Sequence, residues 1–530
     1  MQRADDTIDA VRLEVYRHLF TALTEQMGAA LKGAAFSPNI KERRDYSCAL
    51  FDAEARVVAM GDHMPVHLGA LPMSVAAATS EISGLVPGDV VALNDPFRGG
   101  THLPDITLVK PMFLDAKTII GFLAVRAHHA DVGGMAPGSM PLAREIYQEG
   151  LRIPPVRLLR AGVRQDDLWR MLLANVRTPR ERAGDLAAQV GCLEVGEHRL
   201  QEMIERRGAS EVLAAMAALV AYGERLVRAG IALVPDGTYT AEDALEDDGF
   251  GSGPLPIRVK IEISGENVFI DFTGSAPQAT GGVNAVAAIT VSCVRYVLRC
   301  IVESLLGQAL PAGGGAMLCV TTHLPARSIV NASLPASVAA GNVETSQRIA
   351  DVLFSAFAHA LPEIVPAQSQ GTMNNLTLGG IDPRTGQPFA YYETVGGGMG
   401  AAATTDGLSG VHVHMSNSLN TPIEAIEHAI PIRIRHYSLR RGSGGAGKHR
   451  GGDGIRRDIE LLTDCEVSLL TERRLYAPRG RARGEAGAVG ANVHIVAGEE
   501  RALPAKTTFR ARSGEIISIR TPGGGGHGNA

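Results

Sequence analysis

Glycine is the residue that most constrains how this chain can fold. The 530 residues include 61 glycines, well above the usual share of about 7%. Because glycine has no side chain, such an excess predicts many tight turns and close approaches between backbones. Three runs stand out: VGGGMGAA at 395–402, GSGGAGKHRGGDG at 442–454 and PGGGGHG at 522–528. We expect close backbone packing at each of them.

The run at 442–454 also resembles two nucleotide-binding motifs. Gly442, Gly444 and Gly447 satisfy GxGxxG, and the stretch from Gly442 to Lys448 satisfies GxxxxGK. However, His449 stands where a phosphate-binding loop carries its Ser or Thr, and RGGDGIRR follows where an apolar helix is needed. We therefore interpret this run as an array of turns, close to another subunit, that does not bind nucleotide.

Composition and charge exclude several classes of protein. The net charge is −5, and no long block of like charge is present, which argues against a nucleic-acid partner. The N-terminus has no apolar signal-peptide core, and no run of about 18 apolar residues occurs, so no membrane association is expected. The six cysteines never form CxxC, which is typical of reduced thiols and predicts a cytoplasmic protein.

The hydrophobic pattern predicts an α+β, multi-domain chain with mixed β-sheets. An amphipathic helix is expected over 7–32, short strands over 45–130 and a β-hairpin over 257–272. Two helices broken at Gly208 form a predicted helical hairpin insertion within 180–235. We divide the chain into an N-terminal metal-site α/β region at 1–160, a helical hairpin region at 161–236, a central α/β region at 237–430 and a β-rich glycine-loop region at 431–530.

The residues that best suit a metal lie at the ends of two predicted strands. His102 and Asp105 stand in a Gly/Pro-rich loop before ITLVKPMFL, and His128 and His129 follow the apolar run IIGFLAV, with Asp131 close behind. If the two strands are neighbours, these side chains meet at one point. Such a mixed nitrogen and oxygen set suits Zn²⁺, Mn²⁺ or Fe²⁺. Because successive residues of a strand face opposite ways, only one of the two adjacent histidines is expected to bind the metal, and the other to handle protons.

Further candidates stand outside this pair of strands. Asp45 immediately precedes another predicted strand and is an additional metal-ligand candidate. In GDHMPVHLGAL, we expect His63 to line the site, whereas His67 is assigned a structural role because Pro65 interrupts helical spacing. Glu393, a lone acid beside the first glycine run, is a candidate general acid or base.

Seven segments spread in order along the chain closely resemble the hydantoinase B/oxoprolinase family. They are NIKERRDYSCALFD, HMPVHLGALP, LNDPFRGGTHLPDITLVKP, HHADVGGMAPGSM, PASVAAGNVETSQRIADV, GSGGAGKHRGGDG and TPGGGGHG. The resemblance implies a B-type chain with a divalent metal held by Asp45, His102, Asp105 and His128. It also implies a hetero-oligomer with an A-type ATPase subunit, which uses ATP and Mg²⁺ to phosphorylate the substrate.

Two functions follow from the resemblance and remain open. The first is hydrolysis of a cyclic amide such as a hydantoin, 5-oxoproline or a related lactam, with His129, Glu393 and His63 as proton-handling residues. The alternative is the metal subunit of an ATP-dependent ketone carboxylase, in which bicarbonate or CO₂ replaces water. A scaffold with a purely structural metal would require a closed shell of four ligands.

Overall fold

The structure is a computed structural model that describes residues 8–61, 64–311 and 317–529. Within these ranges the α-helices are α1 (Ala10–Ala34), α2 (Pro38–Lys41), α3 (His67–Glu81), α4 (Asp166–Ala174), α5 (Pro179–Arg207), α6 (Ala209–Ile231), α7 (Ala287–Leu306), α8 (Ser346–Ala360) and α9 (Ile423–Ala429). A π-helical turn, Gly341–Thr345, leads directly into α8. None of the described helices is long and apolar enough to cross a membrane.

The N-terminal sheet has seven strands in the order β2-β1-β5-β4-β3-β6-β7, and all neighbours are antiparallel. The strands are β1 (Tyr46–Asp52), β2 (Val57–Met60), β3 (Val90–Leu93), β4 (Asp105–Phe113), β5 (Ile119–His128), β6 (Val156–Arg160) and β7 (Val163–Arg164).

Both faces of this sheet are covered, which explains why its central strands are apolar throughout rather than alternating. Cys48 and Leu50 of β1 belong to the main core with α1 and α5. Ala49 and Phe51, which point the other way, pack in a separate core with α3. The helical hairpin that the sequence predicts is confirmed as α5 and α6, which meet at Gly208 with a φ of 86°.

A second sheet has the order β11-β10-β9-β8. It consists of β8 (Gly237–Leu245), β9 (Leu255–Ser264), β10 (Asn267–Asp271) and β11 (Val320–His323). The predicted hairpin is confirmed as the antiparallel pair β9–β10, whereas β11 pairs with β10 in parallel.

Two further sheets enclose a core of their own. One has the order β13-β12-β16-β19 and the other β14-β15-β20-β17-β18. Their strands are β12 (Asn375–Asp382), β13 (Gln387–Glu393), β14 (Ile432–Arg440), β15 (Gly454–Leu461), β16 (Cys465–Leu470), β17 (Ala491–Val496), β18 (Glu499–Leu503), β19 (Lys506–Ala511) and β20 (Ile516–Arg520). The predicted α+β class with mixed sheets and a β-rich C-terminal region is confirmed. Because β12 pairs with β16, this sheet joins residues on both sides of the predicted boundary at 430, and the division into four regions stays a prediction.

The three glycine runs pack directly on one another. The Gly398 amide donates to the Pro522 carbonyl at 3.0 Å, the Gly452 amide to Met399 at 2.9 Å and the Gly524 amide to Gly452 at 2.9 Å. A Cβ atom on Gly524 would lie 2.1 Å from the Met399 carbonyl oxygen, closer than any side chain tolerates. The glycine excess therefore serves close backbone packing within this chain.

Candidate metal site

The register of β4 and β5 brings the predicted metal ligands together. Asp105 opens β4, His128 closes β5, and the two residues are register partners across the antiparallel pair. His102 precedes Asp105 in the loop that enters β4. Each of the three residues offers a ligand atom, and these atoms all lie within 4.8 Å of one another. We call His102, Asp105 and His128 the ligand cluster.

Four polar atoms of the ligand cluster lack the hydrogen-bond partners that burial normally demands. All three side chains are at most 2% exposed. Both ring nitrogens of His102, Nε2 of His128 and Oδ1 of Asp105 have no hydrogen-bond partner in the part of the chain that the structure describes. Buried polar atoms are rarely left unsatisfied, whereas a divalent ion would engage two imidazoles and a carboxylate at once. These residues therefore fit a divalent metal.

Electrostatics keep His128 and Asp105 in the protonation states that a metal requires. Burial, together with the neighbouring His102, holds the pKa of His128 well below its usual value, so its imidazole is neutral. Burial opposes ionisation of Asp105, but His102 and His67 outweigh it and hold the pKa of that carboxyl well below its usual range. A neutral imidazole and an ionised carboxylate are the metal-binding forms.

Asp45 lies beside the ligand cluster. Its backbone carbonyl accepts a hydrogen bond from the His128 amide at 3.0 Å. Its buried carboxylate is 3.8 Å from Nη2 of Arg43. Burial raises the pKa of Asp45 to about 6, with Arg43 opposing the shift and Asp105 adding to it. The carboxylate is not among the three groups that lie within 4.8 Å of one another, and its role as a fourth ligand stays a prediction.

His67 lies against Asp105 of the ligand cluster. It begins α3, is 1% exposed, and its Nε2 lies 3.5 Å from Oδ2 of Asp105. Its Nδ1 is 2.8 Å from the Ser47 hydroxyl, which fixes the ring. The His67 ring therefore lies beside a candidate ligand, and the structural role assigned to His67 stays a prediction.

The opposite side of the ligand cluster is formed by residues that the sequence did not single out. Tyr392 of β13 stacks on the His128 ring with centroids 4.4 Å apart and an angle of 11°. The Arg43 guanidinium lies 4.8 Å from the Tyr392 centroid and donates to its backbone carbonyl at 2.8 Å. Asn39 places its amide nitrogen Nδ2 3.2 Å from Nδ1 of His128, whereas its Oδ1 has no hydrogen-bond partner among the described residues. With the amide turned over, Oδ1 accepts Nδ1–H and Nε2 keeps its lone pair for a metal.

A buried network continues from Tyr392 into the π-helical turn. The Tyr392 hydroxyl donates to Oδ1 of Asn375 at 2.9 Å, and Nδ2 of Asn375 donates to Oε1 of Glu344 at 2.7 Å. Burial raises the pKa of Glu344 to about 8. π-Helical turns often mark functional sites, and this one connects α8 to the ring that covers His128.

The predicted proton-handling residues lie elsewhere or cannot be placed. His129 is buried behind the strand pair, where its Nε2 is 2.8 Å from Oε1 of Gln189 on α5, as expected for a residue that faces away from its neighbour His128. Glu393 forms a buried ion pair with Nε of Arg457 at 2.9 Å. His63 lies outside the described residues. The structure therefore provides no contact between His129 or Glu393 and the ligand cluster, and all three roles stay predictions.

Comparison with known proteins places this chain in a family. The profile of the hydantoinase B/oxoprolinase family matches residues 9–530. The chain belongs to that family. It is 41% identical to an uncharacterized protein of Methanocaldococcus jannaschii over 98% of this chain and 91% of that protein. It is 38% identical to 5-oxoprolinase 1 of Arabidopsis thaliana over 99% of this chain, which spans only 42% of that longer protein.

One further relative and two solved structures are similar to this chain. The chain is 32% identical to caprolactamase subunit beta of Pseudomonas jessenii over 99% of this chain and 91% of that subunit. The crystal structure of the ATP-dependent caprolactamase from the same organism matches with a TM-score of 0.90, covering 99% of this chain and 92% of that one. The nucleotide-free acetone carboxylase structure matches at a TM-score of 0.86 with 18% identity, over 98% of this chain and 76% of that one, and this likeness concerns the fold.

Proposed function

We propose that this chain is the metal-dependent B subunit of an ATP-dependent cyclic-amide hydrolase. The observation that carries the proposal is the buried ligand cluster, in which four polar atoms have no hydrogen-bond partner among the described residues. It occurs in a chain that matches the caprolactamase beta subunit over nearly its full length. The proposed substrate is a hydantoin, 5-oxoproline or a related lactam, activated by phosphorylation on a separate A-type ATPase subunit.

In this proposal, Asp45, His102, Asp105 and His128 hold one divalent ion, Zn²⁺, Mn²⁺ or Fe²⁺. Such an ion lowers the pKa of a bound water to about 7 and so supplies hydroxide near neutral pH. His67 fixes the orientation of Asp105 through its 3.5 Å contact. Tyr392 and Asn39 fix the ring of His128 from its face and from its Nδ1 edge.

The proposal requires a second subunit for two reasons. An unstrained lactam must be activated before hydrolysis, and backbone amides of the glycine run at 442–454 are already hydrogen-bonded within this chain. Amide resonance makes such a ring resistant to hydroxide, whereas a phosphorylated amide oxygen makes it a better electrophile. The backbone amides of Gly445, Gly451 and Gly452 already donate to carbonyls of this chain, so they are not available to a phosphate. ATP and Mg²⁺ are therefore assigned to the A-type subunit.

A reactive phosphorylated intermediate should pass between the two sites without crossing bulk water. This requirement predicts a stable hetero-oligomer, with an interface well above about 2,000 Å².

The test is turnover of hydantoin, 5-oxoproline and ε-caprolactam by three preparations: the chain alone, the chain with ATP, and the chain with its A-type subunit and ATP. We expect hydrolysis only in the third. Appreciable hydrolysis by the single chain without ATP would contradict the division of labour. Turnover of a ketone that requires bicarbonate, without release of an amino acid from any lactam, would instead identify the carboxylase.

A further inference from the structure

Arg126 is a buried cation for which the described chain provides no counter-ion. The arginines with fully buried side chains are Arg43, Arg126, Arg182, Arg348, Arg457 and Arg473. All of them except Arg126 have a terminal or ε nitrogen 3.8 Å or less from a carboxylate oxygen. Arg126 has no such partner among the residues that the structure describes. Because an unpaired charge removed from water is costly, we expect an anion from outside the chain beside Arg126.

Neutral groups hold the guanidinium of Arg126 in place. Its Nε donates to the Thr107 hydroxyl at 2.8 Å, and its Nη2 donates to the Ser74 hydroxyl at 2.6 Å. Nη1 is buried and has no hydrogen-bond partner among the described residues. Burial lowers the pKa of Arg126 to about 10, so the side chain stays charged at neutral pH. The guanidinium is therefore fixed on two sides, and the N–H groups of Nη1 are left for a ligand.

Arg126 lies next to the ligand cluster. It stands two residues before His128 on β5, so both side chains point to the same face of the sheet. The charge of Asp105, the register partner of His128, acts on Arg126. Nη2 of Arg126 also approaches the Gly99 carbonyl at 3.4 Å, in the loop that carries His102. Arg126 and the ligand cluster thus share one face of the sheet and the same loop.

The other buried arginine beside the ligand cluster, Arg43, is already occupied. Its Nη1 donates to the Tyr392 carbonyl at 2.8 Å and its Nη2 to a hydroxyl at 2.9 Å, and Asp45 lies 3.8 Å away. In the proposed function, Asp45 and Asp105 share the charge of a divalent ion, so neither of them neutralises Arg126. Arg126 is therefore the cation that is left for an anionic ligand.

We infer that Arg126 binds the phosphoryl group of the activated lactam, with Nη1 donating to the phosphoryl oxygens. This assignment rests on the proposed function and deepens it, because it names the residue that receives the phosphorylated substrate beside the ligand cluster. A guanidinium suits the group, since its planar N–H donors match phosphate oxygens. An unphosphorylated lactam has no charge to neutralise Arg126, so this residue favours substrate that the ATPase subunit has already activated.

Inorganic phosphate is the probe that tests this assignment, on the chain loaded with Mn²⁺ and freed of unbound metal. Because Mn²⁺ is paramagnetic, phosphate that binds beside the ligand cluster gives a broadened ³¹P NMR signal, and a titration gives its dissociation constant. We expect saturable broadening with the wild-type chain. Bicarbonate represents the substrate of a carboxylase, and acetate represents the carboxylate of 5-oxoproline. Each should displace phosphate only when it is present in large excess.

Three variants separate binding of the anion from a purely structural role. Arg126→Gln removes the charge and should raise the dissociation constant of phosphate by about thirtyfold or more. Its affinity for Mn²⁺ should be equal or higher, because a repelling cation is gone. Arg126→Lys keeps the charge but loses the paired donors and should bind phosphate about tenfold more weakly. Arg98→Gln is the control and should bind phosphate as the wild type does, because Arg98 precedes Gly99 but is partly exposed and pairs with Glu81 and Asp95.

Equal binding of phosphate by the wild type and Arg126→Lys would overturn the inference, and this comparison does not depend on whether Arg126→Gln folds. Parallel loss of Mn²⁺ and phosphate in Arg126→Lys, no broadening with the wild type, or tighter binding of bicarbonate than of phosphate would overturn it as well. Lactam turnover by the assembled complex without a phosphate site on this chain would contradict only the role of Arg126. Phosphate binding that depends on Arg126, without lactam turnover, would leave the phosphate site standing and contradict the proposed function.

Discussion

The close contact between the glycine runs predicts that one added methyl group lowers the local free energy of unfolding strongly. In Gly524→Ala, the new Cβ would lie 2.1 Å from the Met399 carbonyl oxygen, and reaching ordinary contact at 3.4 Å requires about 1.3 Å of movement. Overpacking of this kind costs about 1–3 kcal/mol. The movement also strains two hydrogen bonds, from Gly524 to Gly452 and from Gly445 to Gly524, each 2.9 Å long and each worth about 1 kcal/mol. The expected decrease in the free energy of unfolding is about 3–5 kcal/mol.

Hydrogen exchange measured by mass spectrometry can locate this loss. Peptides covering 396–402, 444–454 and 521–529 should exchange roughly one hundredfold to a few thousandfold faster in Gly524→Ala, since every 1.4 kcal/mol is a factor of ten. Gly191→Ala is the control, because Gly191 lies within α5 with nothing within 4 Å of its added Cβ. That variant should be neutral or more stable by about 0.5–1 kcal/mol. Equal exchange of the two variants in these peptides would refute the packing account.

Three further substitutions test individual residues. His67→Ala should weaken metal affinity by about 10–100-fold, as loss of a residue that orients a ligand does, and competition with a chelator checks this; unchanged affinity would remove His67 from the site. Glu393→Gln should destabilise the chain by about 3–5 kcal/mol because it leaves buried Arg457 unpaired; turnover per folded complex that falls about a hundredfold would support the predicted proton-handling role of Glu393, and unchanged turnover would contradict that role. Lys448→Ala should leave ATP hydrolysis by the assembled complex intact, and tight ATP binding by this chain alone, lost on substitution, would reverse the assignment of 442–454.

The sequence predicted the parts of this protein that depend on local pattern. Alternation and apolar runs located β4 and β5, and the antiparallel pairing of the two then placed Asp105 opposite His128. Likewise, the break at Gly208 divided α5 from α6. These features follow from the periodicity of short segments, which is visible without the fold.

The features of the site that the sequence did not predict depend on contacts between residues far apart in the chain. Tyr392 is 264 residues beyond His128, and no local pattern connects them, although their rings stack at 4.4 Å. In the sequence, Glu393 is an isolated acid, because its ion-pair partner Arg457 lies on a distant strand, β15. The contact between His67 and Asp105 could not be predicted for the same reason, since it arises only when α3 packs on the sheet.

The metal content of the purified chain tests the central claim most directly. Elemental analysis after gel filtration, on the wild-type chain and on Asp105→Asn, measures how many divalent ions each retains. We expect about one Zn²⁺, Mn²⁺ or Fe²⁺ per wild-type chain and much less in the variant, because metal affinity depends on an ionised carboxylate. Chelation should abolish lactam hydrolysis by the assembled complex, and adding back the metal should restore it. Less than about a tenth of an equivalent in the wild type, with full activity after chelation, would contradict the account.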